Sequence, residues 1–118
     1  MRVKTHVPRQ KKKRRIRKAA KGGVGGRSKL LRTAKENIAR SMRYAYIGRK
    51  ERKRDMRRLW IERINAAARQ RGITYSVFMG GLIKAGVEVD RKSMADLAVT
   101  DPGAFDRLVE VSKEAFSA

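Results

Sequence analysis

The sequence contains no cysteine, one histidine, two prolines and only 11 acidic residues among 118. Without cysteine there are no disulfides, thiolate metal sites or thiol nucleophiles, a composition typical of a reducing compartment. His6 has no second histidine to work with, so a histidine-based catalytic or metal site is not expected. No apolar run is long enough for a secretory h-region or a membrane span. We therefore expect a cytoplasmic protein with no membrane partner.

Basic residues, by contrast, are abundant and unevenly placed. There are 32 Lys and Arg, and the formal net charge is +21. Residues 1–58 contain 24 basic and 3 acidic residues, whereas residues 59–118 contain 8 of each. Only the second part can bury a core unaided, and the first needs an anionic partner. We predict two domains: a basic extension over residues 1–58 and a globular all-helical domain over residues 59–118.

A glycine-rich run, KGGVGGRSK, occupies residues 21–29 and superficially resembles a phosphate-binding loop. Such a loop needs a lysine where Gly26 stands and a buried strand before it, but KKKRRIRKAA precedes it here. We therefore reject a nucleotide site. The four glycines instead predict a hinge, with Ser28 as the N-cap of the following helix.

The hinge separates a short helix from a long one. Residues 1–8 are expected to form an extended arm, because Pro8 disfavours helix at Val7. Residues 9–21 favour a helix weakened by like-charge repulsion, which should order when phosphates neutralise it. Residues 28–71 have no proline and one glycine, Gly48, and apolar residues recur at helical spacing. This pattern predicts a long helix bent near Gly48.

Beyond Gly72 the pattern predicts a small helical bundle without a strand. Thr74 or Ser76 can cap the first helix, Asp90 the second and Asp101 the third, where Pro102 follows at the first helical position. The expected inner-face residues are Phe78, Leu82, Ile83, Met94, Leu97, Ala98, Phe105, Leu108, Val109, Ser112 and Phe116. They should pack on the end of the long helix through Leu59, Trp60, Ile64 and Ala67. The predicted fold class is all-α.

These features favour nucleic-acid binding over catalysis. The sequence offers no paired histidines, and its carboxylates fall at helix caps or on outer faces, so we expect no enzyme, no cofactor and no small-molecule substrate. Tyr44 and Tyr46 add aromatic surface to the basic helix. An arm, a hinge and a charged helix suit crevices in folded RNA, although charge alone does not distinguish RNA from DNA. An architectural DNA-binding or DNA-compacting protein therefore stays open as the alternative.

Several segments resemble the bacterial large-subunit ribosomal protein twenty family: AKG and GRSK, then YAYIGRKERKRDMRRLWIERINAAARQRGITYSVFMGGLIKA and RKSMADLA. The similarity extends from about Arg2 to Phe116. It implies a structural constituent of the large ribosomal subunit that binds its ribosomal RNA and acts early in assembly, beside neighbouring ribosomal proteins. It also implies that repression of its own messenger is possible, as in some members. Outside the ribosome we expect a monomer.

The resemblance and the charge pattern together give the candidate RNA-binding residues. Where the family commonly has bulky aromatic residues after AKG, this chain has Gly23 and Val24, which eases a close backbone approach to phosphate. Arg63, Arg69, Arg91 and Lys92 are second-tier candidates in the globular domain. The first-tier candidates are Arg2, Lys4, Arg9, Lys11, Lys12, Lys13, Arg14, Arg15, Arg17, Lys18, Lys21, Gly22, Gly23, Arg27, Ser28, Lys29, Arg32, Tyr44, Tyr46, Arg49, Lys50, Arg52, Lys53, Arg54, Arg57 and Arg58. No metal ligand is predicted.

Overall fold

Helices account for all the regular secondary structure in residues 6–118, the part of the chain that the computed structural model describes. The predicted contacts Arg2 and Lys4 lie outside these residues. The all-α fold class is confirmed, since the described residues contain no strand. The six helices are α1 His6–Ala19, α2 Gly26–Lys29, α3 Leu31–Gln70, α4 Tyr75–Lys84, α5 Arg91–Thr100 and α6 Pro102–Ser117.

Helix α1 begins earlier than the sequence pattern predicted. It already includes Val7 and Pro8, so the extended arm is wrong for residues 6–8, and the rest of the arm lies outside the described residues. Proline is tolerated here because the first-turn N–H groups of a helix have no intrahelical acceptor, so the missing donor at Pro8 costs no helical hydrogen bond.

The glycine-rich segment interrupts the helices as predicted. Gly22 and Gly25 have φ values of 93° and 64°, a backbone region that residues with a Cβ rarely adopt. The N-cap assignment of Ser28 is wrong, because Ser28 lies inside α2 and Gly25 holds the N-cap position. The break falls instead at Leu30, whose backbone is extended. There Thr33 Oγ1 donates to the Gly26 carbonyl oxygen at 2.7 Å, which fixes the turn between α2 and α3.

Helix α3 spans 40 residues and continues through Gly48. The bend predicted at Gly48 stays a prediction. The helix ends at Gln70, and Gly72, with a φ of 79°, follows at the C′ position. The Ile73 N–H donates to the Ala68 carbonyl at 3.1 Å, and the Gly72 N–H donates to the Arg69 carbonyl at 3.1 Å. These two bonds form a Schellman C-cap, the usual role of a glycine at this position.

The chain forms two compact units, one up to Glu51 and one over Arg52–Ala118, and α3 contributes residues to both. The predicted boundary between residues 58 and 59 divides the chain by charge rather than by compactness, and it stays a prediction. Among residues 6–51 of the first unit, the buried apolar side chains are Ala20 and Ala34. Two small side chains bury little apolar surface, so packing stabilises this unit weakly.

The second unit has a continuous apolar core. Phe78 of α4 and Phe105 of α6 meet at its centre, with ring centroids 5.1 Å apart. Trp60 packs against this core as a partly buried residue. The buried members are Ile64, Ala67, Ala68, Phe78, Leu82, Met94, Ala95, Phe105 and Val109. The predicted docking of the bundle on the end of α3 is therefore confirmed for Ile64 and Ala67.

Three residues that were predicted to face the core are exposed. The buried faces of the helices therefore contain fewer side chains than predicted. Ile83 is 73% exposed, Phe116 47% and Leu59 36%. The reason at α4 is a close helix contact through Gly81, where an added Cβ would overlap the Ser112 hydroxyl and carbonyl oxygens. This contact turns the Gly81 side of α4 toward α6. Ile83, two positions further on, consequently points to solvent.

Candidate nucleic-acid interface

A bare segment of α3, residues 39–59, is the main feature of the candidate interface. Every one of its 21 consecutive residues is exposed. The segment carries nine basic and two acidic residues. Within the described residues, its one ion pair joins Arg58 to Asp55 at 3.7 Å, with both side chains well exposed. Such an exposed pair contributes little stability, so the segment presents nearly uncompensated positive charge.

The helical spacing sorts this charge around the helix. Glu51 and Asp55 are four residues apart and share one face. Arg49, Lys53 and Arg57 follow one another at four-residue steps, and at 100° per residue their face lies opposite the acidic one. Polyanionic nucleic acid therefore has one strongly preferred side of the helix in residues 49–58.

Two exposed tyrosines stand just before this cationic face. Tyr44 is 71% exposed and Tyr46 is 56% exposed. The Lys50 ammonium lies 4.4 Å from the centroid of the Tyr46 ring, so this cation covers one ring face. Tyr44 has no such cover among the described residues and lines two shallow hollows. The two aromatic candidates thus differ in how available their rings are.

A second cationic feature lies in the first unit, between α1 and the start of α3. The groove there is lined by Arg9, Lys12 and Lys13 of α1 and by Lys35 of α3, around the apolar pair Ile16 and Leu31. It has no acidic lining residue. Four cations with no carboxylate among them attract a phosphate group. The structure thus brings together three predicted residues and Lys35, which the sequence reasoning missed.

The sequence reasoning also missed Arg40 and Arg43, which flank Tyr44 on the exposed part of α3. Charge density does not single them out, because they stand apart from the dense clusters RSKLLR and RKERKR. Helical spacing would have found them, since Arg40 lies four positions before Tyr44 and Arg43 lies three positions before Tyr46. The candidates Arg27, Ser28, Lys29 and Arg32 lie around the α2–α3 turn, where Ser28 is half-buried and the three basic residues are exposed.

Basic residues of the second unit include some with structural contacts. The Arg71 guanidinium forms an ion pair with Asp106 and donates to the Ala67 carbonyl at 2.9 Å. It also lies 4.9 Å from the centroid of the Phe105 ring. The second-tier candidate Arg91 donates to the Tyr75 hydroxyl at 2.9 Å and is half-buried. These guanidinium groups hold the helices together, so they are less free to contact RNA.

The other second-tier candidates are exposed. Arg63 and Lys92 share a hollow with the carboxylates of Asp90 and Asp96. A hydrogen bond from the Ser93 side chain lowers the pKa of the Asp90 carboxyl below its ordinary value. That carboxylate stays ionised at neutral pH and offsets part of the positive charge here. This hollow is therefore a weaker anion site than the bare segment.

Residues 6–118 offer neither a metal site nor a membrane-spanning helix. No group of histidine, cysteine or acidic side chains there is arranged to hold a metal ion. No helix in this part of the chain is both long and apolar enough to span a membrane. The residues that could do chemistry at the interface are thus cations, tyrosines and a few neutral polar groups.

Known proteins resemble the chain over nearly its full length. A family model described as ribosomal protein L20 matches residues 2–108. A large ribosomal subunit protein bL20 of Carboxydothermus hydrogenoformans is 54% identical over 113 residues, which cover 96% of this chain and 97% of that protein. The protein of the same name in Clostridium botulinum is 48% identical over 117 residues, 99% of this chain and 98% of that one.

Proposed function

The chain belongs to the ribosomal protein L20 family, a family of structural ribosomal proteins rather than enzymes, and from this premise we propose its function. It is a structural constituent of the large ribosomal subunit that binds large-subunit ribosomal RNA through its basic extension. Its place is in the cytoplasm, within that subunit, beside other ribosomal proteins. Outside the ribosome it is a monomer. The name of its relatives supports the subunit assignment.

The bare segment of α3 is the observation that supports RNA binding. A helix that shares no core over residues 39–59 gains no packing energy there, and its like charges repel one another. Helices in globular proteins owe most of their stability to tertiary packing. Phosphate groups supply the missing stabilisation by neutralising the arginines, and the guanidinium fork suits them better than an ammonium does. The segment is therefore built to be covered by a polyanion.

Early action in subunit assembly follows from the same physics. An extension that orders only when phosphates surround it also holds the surrounding RNA segments together, because binding and ordering are one equilibrium. Large-subunit RNA that is still flexible would gain most from such a bridge. We place the contacts on the first-tier residues already named, with Lys35, Arg40 and Arg43 added to them.

Competition binding tests the RNA assignment against the architectural DNA alternative. The full chain is offered a folded large-subunit ribosomal RNA fragment and duplex DNA with equal phosphate at about 0.15 M salt. We expect a strong preference for the RNA that persists as salt is added, because folded RNA offers crevices and 2′-hydroxyl groups. Equal binding to both, with the same steep salt dependence, would favour the DNA alternative.

Repression of its own messenger is a further role that the same surface could perform. It requires a messenger leader that competes with large-subunit ribosomal RNA for the extension. A translation assay with a reporter behind the leader tests this, with added ribosomal RNA fragment expected to relieve the repression. A leader that binds without being displaced by the fragment would argue against a shared surface.

A further inference from the structure

We propose that Tyr44 is the centre of a site that binds one unpaired RNA base, which makes residues 27–47 the part of the extension that distinguishes nucleotides. This inference rests on the proposed RNA binding and deepens it. The rest of the basic surface contacts phosphate and ignores the base. The site joins an exposed aromatic ring to guanidinium and neutral polar groups on the same side of α3.

The hollow beside Tyr44 has the composition of a nucleotide site. It is lined by Arg27, Thr33, Glu36, Asn37, Arg40, Ser41 and Tyr44. A nucleotide presents a flat base, a base edge with donors and acceptors, a 2′-hydroxyl and a phosphate. Aromatic rings stack on bases, amides and hydroxyls bond their edges or the sugar, and guanidinium groups bind phosphate. The hollow provides each of these partners once or twice, Arg27 from α2 and the others from the first turns of α3.

The Tyr44 ring is available for a base to stack on. The side chain is 71% exposed and takes no part in the packing of the described residues. A tyrosine in that position gains nothing from burial, and water solvates its ring poorly. A second hollow, lined by Arg40, Arg43, Tyr44 and Ile47, adjoins the same ring. A base stacked on Tyr44 would therefore have a guanidinium on either side for its flanking phosphates.

The acidic side chain in the hollow orients a bound nucleotide. Glu36 lies 3.7 Å from Arg32 in an exposed ion pair. Its carboxylate repels phosphate from that wall, whereas it can accept a hydrogen bond from a base amino group. The phosphate is therefore directed toward Arg27 and Arg40, and the base edge toward Glu36 and Asn37. Uracil has no exocyclic amino group, so it should bind least well.

Residues 49–58 of the same helix lack the groups that could recognise a base. That stretch contains seven basic residues, two acidic ones and Met56, and it has no neutral amide, hydroxyl or aromatic side chain. It can neutralise phosphate but has nothing that reads a base edge. We assign Tyr46 a sugar or phosphate contact through its hydroxyl rather than a stacked base, because the Lys50 ammonium covers one face of its ring. It is therefore the matched control for stacking on the same helix.

The test uses the full chain and synthetic single-stranded RNA of about twelve nucleotides, comparing oligomers with bases against an abasic strand of the same length and charge. We expect wild type to favour the strands with bases by about 5- to 100-fold, the range for a stacked base, with polyuridine weakest. Tyr44→Leu should reduce this ratio at least about fivefold, and Tyr46→Leu by less than about twofold. Leucine is a good helix former, so α3 should persist, as circular dichroism would verify.

The salt dependence separates a base contact from a phosphate contact. Tyr44→Leu should leave the slope of log affinity against log salt unchanged, while Arg54→Gln should reduce its magnitude by about 0.7 without changing the ratio of base-bearing to abasic binding. If wild type does not distinguish abasic strands, or if Tyr44→Leu and Tyr46→Leu lose equally, the base site is wrong. Equal binding of ribosomal RNA and duplex DNA by the wild-type chain in the competition assay would instead overturn the proposed function.

Discussion

Gly81 sets how closely two helices of the second unit can pack. The Ser112 hydroxyl is fully buried and donates to the Phe78 carbonyl at 2.9 Å, with the Val77 carbonyl 3.2 Å away. This places the α6 backbone against Gly81 so closely that no Cβ fits. The neighbouring Gly80 faces a movable partner, since its added Cβ would lie 3.2 Å from the ring of the partly exposed Phe116. A side chain at position 81 is thus excluded by the α6 backbone, whereas one at position 80 meets only a ring that can move.

Replacing Gly81 by alanine should destabilise the bundle by about 2 kcal/mol, in the range for overpacking a well-packed core. The extra methyl group overlaps backbone atoms, so α4 and α6 must separate. Gly80→Ala is the matched control, for which we expect no loss or a gain of up to about 1 kcal/mol from helix propensity. Denaturation followed by Trp60 fluorescence measures both changes. Equal losses for the two variants would contradict the assigned contact.

Single substitutions should separate the arginines with structural contacts from those that we propose to contact RNA. Arg71→Gln removes an ion pair with a half-exposed carboxylate, a bond to the Ala67 carbonyl and a cation–π contact. We expect a loss of about 1 to 2 kcal/mol of stability. The salt exponent of RNA binding should stay the same.

Arg57→Gln is the complementary change on the bare segment. Its stability should stay within about 0.5 kcal/mol of wild type, because Arg57 is exposed and lies outside the core. The salt exponent should fall in magnitude by about 0.7 to 0.9. Chemical denaturation and binding at several salt concentrations measure the two quantities. A lowered exponent in Arg71→Gln, or a destabilised Arg57→Gln, would be inconsistent with this division.

At the scale of the helices, α6 was predictable and the start of α3 was not. Asp101 accepts from the Ala104 N–H at 3.1 Å and Pro102 opens α6, so the local signals and the fold agree. Leu30, by contrast, breaks the helix through a turn that depends on the Thr33 hydroxyl bond to Gly26. No glycine or proline lies within three residues of Leu30, so the local composition does not predict a break there. Hydrophobic periodicity does not reveal a helix boundary that a single side-chain hydrogen bond sets.

The candidate interface was predictable to a similar degree. Charge density identified the basic clusters before and after the hinge, because the repulsion between like charges and their need for solvation can be read from composition. It did not identify the groove that brings Lys35 to Arg9 and Lys12, since that juxtaposition depends on how α1 meets α3. The hollow beside Tyr44 was also hidden, because Asn37 and Ser41 are unremarkable until the helix aligns them.

Gly48 lies in the bare segment, so replacing it tests whether helix propensity limits the stability of α3 there. An added Cβ meets nothing within 4 Å, so Gly48→Ala should favour the helix by about 1 kcal/mol. We expect more helical circular dichroism from the free chain and unchanged or tighter RNA binding. Gly72→Ala, at a φ of 79°, is the contrasting variant and should lower bundle stability. Weaker RNA binding by Gly48→Ala would mean that the glycine is needed for a bend or a close approach of RNA.

At the scale of the whole molecule, charge and core lie in different parts of the chain. The excess of 21 basic residues falls in residues 1–58, while the apolar core is built from residues between Ile64 and Val109. The two parts therefore respond to different conditions. At 0.1 M salt, repulsion between exposed charges more than about 10 Å apart is largely screened, whereas the burial of a neutral core changes little.

This separation predicts that the free chain loses its helices in two stages. Helical circular dichroism should begin to fall before Trp60 fluorescence changes, because Trp60 packs against the core while the bare segment has no core to lose. Raising salt from about 0.05 to 0.5 M should increase the helical signal at low temperature, because the Debye length falls from roughly 14 to 4 Å. The fluorescence midpoint should shift much less. Coincident transitions at every salt concentration would mean that the extension is stabilised by the core after all, and RNA would then bind a helix that is already stable.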